Sequence, residues 1–403
     1  MSPSIDLPGP RPAIVARLGT AQTLAWASTY YLPAILAAPM ARDLGTTVPT
    51  VLAAFSLALV VSALVGPRAG HTIDRRGGRP VLMITSLVFA AGLAGLGLCQ
   101  GLPGLFVAWV VLGLGMGSGL YEAAFATLVR LYGRQARSGI TGITLIAGFA
   151  STVGWPLSAW LESRYGWRAT CGAWAALHLL LGLPLNAWLP RVGAGPAPAQ
   201  APAAPAAEPS AAASPTPAPR DEWRAMLVLS WVFAATLFTA TALATHLPRL
   251  MQAAGASVAT ALLVGALIGP AQVAARLLEF GFLRRLHPLW VARLATALHP
   301  LGAGLLLLVG AAWAPVLGLL HGAGNGLLTI TKGTLPLALF GSAGYGARQG
   351  WLMAPARVTQ ALAPVAFGLV LDRLQGHALW VTAGLGVSAL AALMWLPTKT
   401  APR

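Results

Sequence analysis

Residues Gly70-His71-Thr72-Ile73-Asp74-Arg75-Arg76-Gly77-Gly78-Arg79 form a short basic stretch between two apolar runs, at roughly 49–68 and 80–99. Each run is about 20 residues long, the length a helix needs to cross the hydrocarbon of a bilayer. The glycines permit a tight turn and close helix contact. Asp74 is the one acid in the stretch, placed where it can meet the positive N-terminal end of a neighbouring helix. The segment reads as a cytoplasmic loop joining two membrane helices.

The same pattern runs along the whole chain. Apolar segments at roughly 15–38, 49–68, 80–99, 105–130, 139–161, 168–189, 224–247, 257–281, 290–311, 315–337, 347–370 and 377–396 predict twelve transmembrane helices. Composition agrees, since 57% of the residues are hydrophobic and only 9% are charged, against about 25% charged in a soluble domain. A chain this poor in charge cannot cover its surface in water, so that surface faces lipid. The net charge of +16 does not point to nucleic acid, because the basic residues sit in short runs between apolar segments. Cys99 and Cys171 lie inside apolar segments and read as small hydrophobic residues, not as a disulfide or a metal site. The 24 Arg against 2 Lys suggest a GC-rich genome, and hence a bacterial inner membrane. Arg11 and Arg17 precede an apolar run as in a signal peptide, but Leu18 to Ala38 is long for a signal core and reads as the first helix.

Loop charge sets the orientation. With the N-terminus in the cytoplasm, the inner loops and tails hold seventeen Lys and Arg and the outer loops five, which places both termini inside. Residues 190–222 are almost all Ala and Pro and read as a disordered cytoplasmic linker. The linker divides the chain into a six-helix bundle at 1–189 and another at 223–403. The halves resemble each other. Gly115 to Leu120 aligns with Gly322 to Leu327 at an offset of 207, Tyr132-Gly133 with Phe340-Gly341 at 208, Tyr31-Leu32-Pro33 with His246-Leu247-Pro248 at 215, and Glu162 and Gly166 with Asp372 and Gly376 at 210. Parallel six-helix repeats are a secondary-transporter arrangement, with the substrate site near the midplane between them.

In position and residues, the 70–79 stretch resembles the Gly-x-x-x-Asp-Arg-x-Gly-Arg-Arg signature of the major facilitator superfamily. Gly70, Asp74, Arg75, Gly77 and Arg79 match it, whereas Gly78 and Thr72 depart from it. Gly166-Trp167-Arg168, opening the sixth helix, is also similar to this superfamily. The resemblance implies an all-α membrane fold of two pseudo-symmetric six-helix bundles. It further implies that Asp74 meets the start of the eleventh helix and helps hold the cytoplasmic side shut. In the family Arg75 pairs with an acid at the inner end of the fourth helix. Here that end carries Arg130 instead. The matching loop of the second half, Gly281 to Pro288, keeps a glycine and the basic pair Arg284-Arg285 but has no Asp, so this gate is expected to be lopsided.

Charges within hydrocarbon cost about 3 kcal/mol or more each, so those that persist are functional candidates. Arg357 lies near the middle of the eleventh helix, Arg276 in the eighth and Lys332 in the tenth, while Glu122 is the one acid deep in a helix. This set is net positive and suits an anion, since desolvated Arg recognises carboxylate in a bidentate way. A cation on the eighth helix and another on the eleventh is similar to the oxalate/formate and monocarboxylate porters of the superfamily. The other reading of Arg276 and Lys332 is that they snorkel to the inner surface. Glu122 reads either as a proton carrier or as the partner of Lys332, and Glu279 as an i,i+3 partner of Arg276. Tyr31 and His246, aligned in the repeat, and Asn325, with Thr329 on one face of the tenth helix, complete the candidate substrate site. A lone membrane histidine such as His246, His299 or His321 is otherwise a hydrogen-bonded interior residue.

The sequence shows no phosphate-binding loop, no clustered metal ligands and no nucleophile–base pair, so neither enzyme chemistry nor a cofactor is expected. The expected protein is a monomeric carrier working by alternating access on a small organic anion, by proton coupling or exchange. A drug or metalloid exporter is the alternative, on Gly148, Gly154 and Pro156 of the fifth helix. A non-transporting membrane sensor that docks partners through the linker is a third.

Overall fold

The computed structural model describes residues 9–192 and 219–397. These residues are helical almost throughout, with no strand among them. Seven helical stretches are apolar and long enough to cross a membrane. Two of them, Leu102–Ala187 and Tyr345–Met394, run 86 and 50 residues and fold back on themselves.

Followed along the chain, the helices make twelve passes. The first is α1 (Pro12–Ser28) and α2 (Pro33–Asp43), the second α3 (Val48–Arg76) and the third α4 (Gly78–Leu98). The fourth is α5 (Leu102–Gly119) with α6 (Tyr121–Tyr132), and α7 (Ala136–Ala147) leads into the fifth. Helix α8 (Ala150–Leu177) is shared by the fifth and sixth, because Gly166 turns the backbone at φ 78° and ψ 167°. The sixth ends in a π turn and α9 (Leu183–Ala187). The second half follows as α10 (Pro219–Ala253), α11 (Val258–Gly281), α12 (Pro288–Val309), α13 (Ala314–Phe340), α14 (Tyr345–Leu374) and α15 (Leu379–Met394), one pass each.

Helix α10 starts four residues before the expected bundle boundary at 223. Asp221 and Glu222 sit in its first turn, where negative charge favours a helix N-terminus. Most of the expected linker, residues 193–218, lies outside the described residues. The outward surface is apolar; Leu64 and Leu180 are 65% and 77% exposed, as side chains facing lipid would be.

Inside each half, small residues let helices touch backbone to backbone. A Cβ on Gly113 or Gly117 of α5 would strike Ala58 or Ser62 of α3. In the second half Gly318 and Gly322 of α13 stand in the same way against Val264 and Ile268 of α11. The glycines are 205 residues apart and the residues they touch 206, so the repeat is one to two residues out of the register expected from Gly115 and Gly322. A chain rich in glycine offers several near alignments, and only helix contacts choose among them.

The halves meet along α3 and α14, antiparallel. A Cβ on Gly70 would lie 1.9 Å from the carbonyl oxygen of Gly346, and one on Gly350 would lie 2.5 Å from Pro67 Cα. This glycine seam runs to the face that carries the Arg-rich loops, called here the basic face.

Candidate functional site

At the basic face the 70–79 stretch closes the seam. Asp74 Oδ1 accepts the Gly346 N–H and Oδ2 the Ala347 N–H, both at 2.8 Å. These amides belong to the first turn of α14 and have no helical partners. A carboxylate there is held by two charge-assisted bonds and by the helix dipole. Gly77 ends α3 at φ 78°, a conformation that favours glycine. Gly78 opens α4 so close to Thr127 that a Cβ would lie 1.8 Å from its Oγ1. Arg75 is exposed and joins none of the ion pairs among the described residues. Arg79 is half-buried and its Nε has no partner.

The second half has a matching contact that the loop sequence did not reveal. Glu279, in the last turn of α11 and 1% exposed, accepts from Thr141 Oγ1 at 3.1 Å and faces Arg137 at 3.9 Å, both on α7. Glu279 and Asp74 are 205 residues apart, as are Gly346 and Thr141. The expected loss of the second-half carboxylate is therefore corrected: it sits in the helix rather than in the loop. The expected Arg276–Glu279 pair does not form, because Glu279 turns across the seam to the first half. Arg137 also donates to the Leu286 carbonyl at 2.9 Å, tying the second-half loop to α7.

Midway along the seam lies a charged cluster shared by both halves. Arg357 of α14 is 4% exposed, and its Nη2 donates to Glu122 of α6 at 3.0 and 3.2 Å. Its Nη1 donates to Gln360 Oε1 at 3.2 Å, and Gln360 Nε2 in turn donates to the Tyr30 hydroxyl at 2.8 Å. The Trp26 ring lies 5.8 Å from the guanidinium, close enough for a cation–π contact. Tyr30 sits in the break between α1 and α2, and Leu120 breaks the fourth pass just before Glu122. Such interruptions are tolerated at membrane depth where they line a polar site.

Two further cations approach this cluster. Lys332 of α13 lies in the electrostatic field of Arg357, Glu122 and Arg276. Arg276 of α11 is 5% exposed, and its one side-chain hydrogen bond is to Gln272 at 3.4 Å. Its Nη1 presses on Gly148, where a Cβ would lie 2.2 Å away, and Tyr31 and Tyr121 lie within its electrostatic reach. Neither cation forms an ion pair among the described residues. The ion pair expected between Glu122 and Lys332 is formed with Arg357 instead. A guanidinium offers two parallel donors to a carboxylate, and Arg357 presents them across the seam.

Five predicted site residues thus share one place: Arg357, Arg276, Tyr31, Glu122 and Lys332. Two lie elsewhere. His246 bonds the Pro364 carbonyl at 2.7 Å, beyond Arg357 on the side away from the basic face. Asn325 bonds His321 at 3.0 Å inside the second bundle. The sequence reading missed Trp26 and Tyr30, which are ordinary apolar-helix residues until the break beside them is seen. The second superfamily cue is structural: Trp167 Nε1 donates to Asp43 at 3.2 Å, and Arg168 pairs with the same carboxylate.

A helical bundle in two halves, with a charged cluster in the seam between them, is the arrangement of secondary membrane transporters. The family profile of the Major Facilitator Superfamily matches residues 18–331, and the chain belongs to that superfamily. Its fold superposes on the proton:xylose symporter XylE, solved with 6-bromo-6-deoxy-D-glucose bound, with a TM-score of 0.69 at 13% identity over 96% of this chain and 95% of that one. It superposes on the human organic anion transporter MFSD10 (TETRAN) with a TM-score of 0.63 at 15% identity over 95% of this chain and all of that one. At these identities the likeness speaks for the fold alone. In sequence the chain is 31% identical over 171 residues to an uncharacterized 38 kDa protein in the 23S RNA operon of Thermoproteus tenax, covering 41% of this chain and 44% of that protein. It is 29% identical over 136 residues to the multidrug resistance protein fnx1 of Schizosaccharomyces pombe, covering 33% of this chain and 25% of fnx1. Each match spans less than half of the relative's own length.

Proposed function

We propose that the protein carries a small organic anion, a carboxylate, across a bacterial inner membrane by alternating access, as a monomer and with proton coupling or exchange. The observation that carries this reading is the imbalance in the seam: three cations, Arg357, Arg276 and Lys332, against the single carboxylate Glu122. Buried charge without a partner is costly, and a bound carboxylate would supply one. Arg276 is the candidate first contact, since Glu122 already occupies Arg357. Glu122 then yields Arg357 to the substrate, or takes up a proton as it does so. The Arg count of the loops supports a cytoplasmic basic face with both termini inside and the Ala/Pro-rich segment before α10 as a linker there.

Purified protein in proteoliposomes tests this reading. It is expected to take up labelled formate, oxalate or a similar small carboxylate, and Arg357→Gln is expected to reduce uptake by at least about 100-fold, as for loss of a buried charge contact. No uptake of any carboxylate, or normal uptake by a folded Arg357→Gln protein, sinks it.

The partial match to a multidrug resistance protein supports a second reading, an exporter of drugs or metalloids. The rings of Trp26, Tyr30, Tyr31 and Tyr121 around the cluster would suit aromatic cargo. In that case deletion causes broad drug sensitivity, and neutral compounds rather than carboxylates compete for the site.

A further inference from the structure

Inside the second bundle, away from the seam, two histidines are in direct contact. His321 Nδ1 and His299 Nδ1 lie 3.1 Å apart, and the rings are 7% exposed or less. Asn325 Nδ2 lies 3.0 Å from His321 Nε2. His299 Nε2 has no partner. It belongs to a small cavity lined by Thr236 and Thr239 of α10, Thr296 of α12 and Gly386 of α15.

The chemistry of the chain is constrained. A neutral imidazole carries one N–H and one bare nitrogen. With Asn325 donating, His321 Nε2 is bare and its hydrogen sits on Nδ1. His321 then donates to His299 Nδ1, and the His299 hydrogen sits on Nε2, facing the cavity. If the Asn325 amide turns to present its oxygen, a proton can be added at His321 Nε2 with every bond in the chain kept. The product is one imidazolium donating both to Asn325 and to a neutral imidazole, and such charge-assisted bonds are the strong ones.

We propose that His299, His321 and Asn325 form a one-proton site inside the second bundle, a statement that does not rest on the transporter reading above.

His321, Asn325 and Lys332 fall on one face of α13, four and seven residues apart. Lys332 lies about 10 Å along the helix from Asn325. No acid faces the pair. Helix α10 brings only threonines, α15 brings Gly386, and α12 brings Arg293, whose guanidinium is spent on the carbonyls of Leu393 and Leu396. Helix α11 brings Gln272, which lies against Gly326 beside Asn325, and Arg276 one turn further, and α14 brings Gln349 and Arg357 near Lys332. The first bundle has no such pair. Its cavity between α1, α4, α5 and α9 holds one histidine, His178, fixed on Ser28 Oγ at 2.8 Å.

Nitrogen NMR of full-length protein with labelled histidines, in lipid nanodiscs, tests the site without any substrate. The seven histidines are assigned by single substitutions. His299 and His321 are expected to show opposite tautomers and to take up one proton between them, in a single shared step within about pH 4 to 9. His321→Gln is expected to abolish that step, and Asn325→Leu to mix the tautomers of both rings. A purely structural knot would show the tautomers but take up no proton in that range. Such an outcome, or two independent one-proton steps, overturns the proposal. Failure of carboxylate uptake would leave this result standing, and the reverse holds as well.

Discussion

Two carboxylates, 205 residues apart, grip the opposite half of the molecule at the basic face, and they do it differently. Asp74 holds backbone amides at the start of α14. Glu279 holds side chains at the start of α7. Amides in a first helical turn are fixed in direction and need a partner, whereas Thr141 and Arg137 can turn to water when the halves part. The first-half contact therefore has a defined closed geometry and a costly open one. The second-half contact is softer in both. Under the alternating access proposed above, Asp74 would be the latch that sets the closed state and Glu279 the one that steadies it.

This difference can be broken in order of size. The largest effect is expected from Gly70→Ala, because a Cβ would meet the Gly346 carbonyl at 1.9 Å and the seam cannot close. Spin labels on the exposed positions Gln135 and Arg284, one in each half, are expected to lose their short-distance population while the protein still elutes as a folded species. Next comes Asp74→Asn, which keeps one acceptor but loses the charge. A hydrogen bond to a charged group is worth about 1.5–3 kcal/mol, so the closed population should fall by roughly tenfold or more in the same measurement. Glu279→Gln should do least. It keeps an oxygen for Thr141 and gives up the attraction to Arg137, which at 3.9 Å is beyond hydrogen-bond distance. Its effect should stay below that of Asp74→Asn in the same measurement. If Glu279→Gln opened the molecule as far as Asp74→Asn, the two latches would be equal and the contrast would collapse.

The sequence carried most of the fold. Span length, loop arginines and the 70–79 stretch led to twelve passes in two halves, because each depends on local composition. The contact of Asp74 with the start of α14 follows from the resemblance of the 70–79 stretch to the superfamily signature, not from composition. Glu279 was misassigned because the loop, not the helix before it, was compared with 70–79, and because an arginine three residues away offered an easy local partner. For Glu122 the repeat offers Lys332, its near-counterpart in the other half, as one possible partner, whereas the structure pairs it with Arg357. Which cation faces a carboxylate depends on the rotation of helices from different halves, and no periodicity within one helix reports that. The histidines on α12 and α13 read as separate interior residues, since 22 positions separate them in the chain.

The glycine seam has a consequence for how the molecule spends its cycle. An interface of long side chains must freeze rotamers each time it forms, at about 0.5–1.5 kcal/mol for each. Where Gly66 and Gly70 meet Gly346 and Gly350 there is nothing to freeze. Bare backbone engages and releases at the same entropic level, turnover after turnover. Its attraction also loses about a quarter to a half over a gap of about 0.5–1 Å, so a seam opened by a few ångströms keeps little of it. The motion is then better pictured as a magnet leaving a plate than as a zip running down its track.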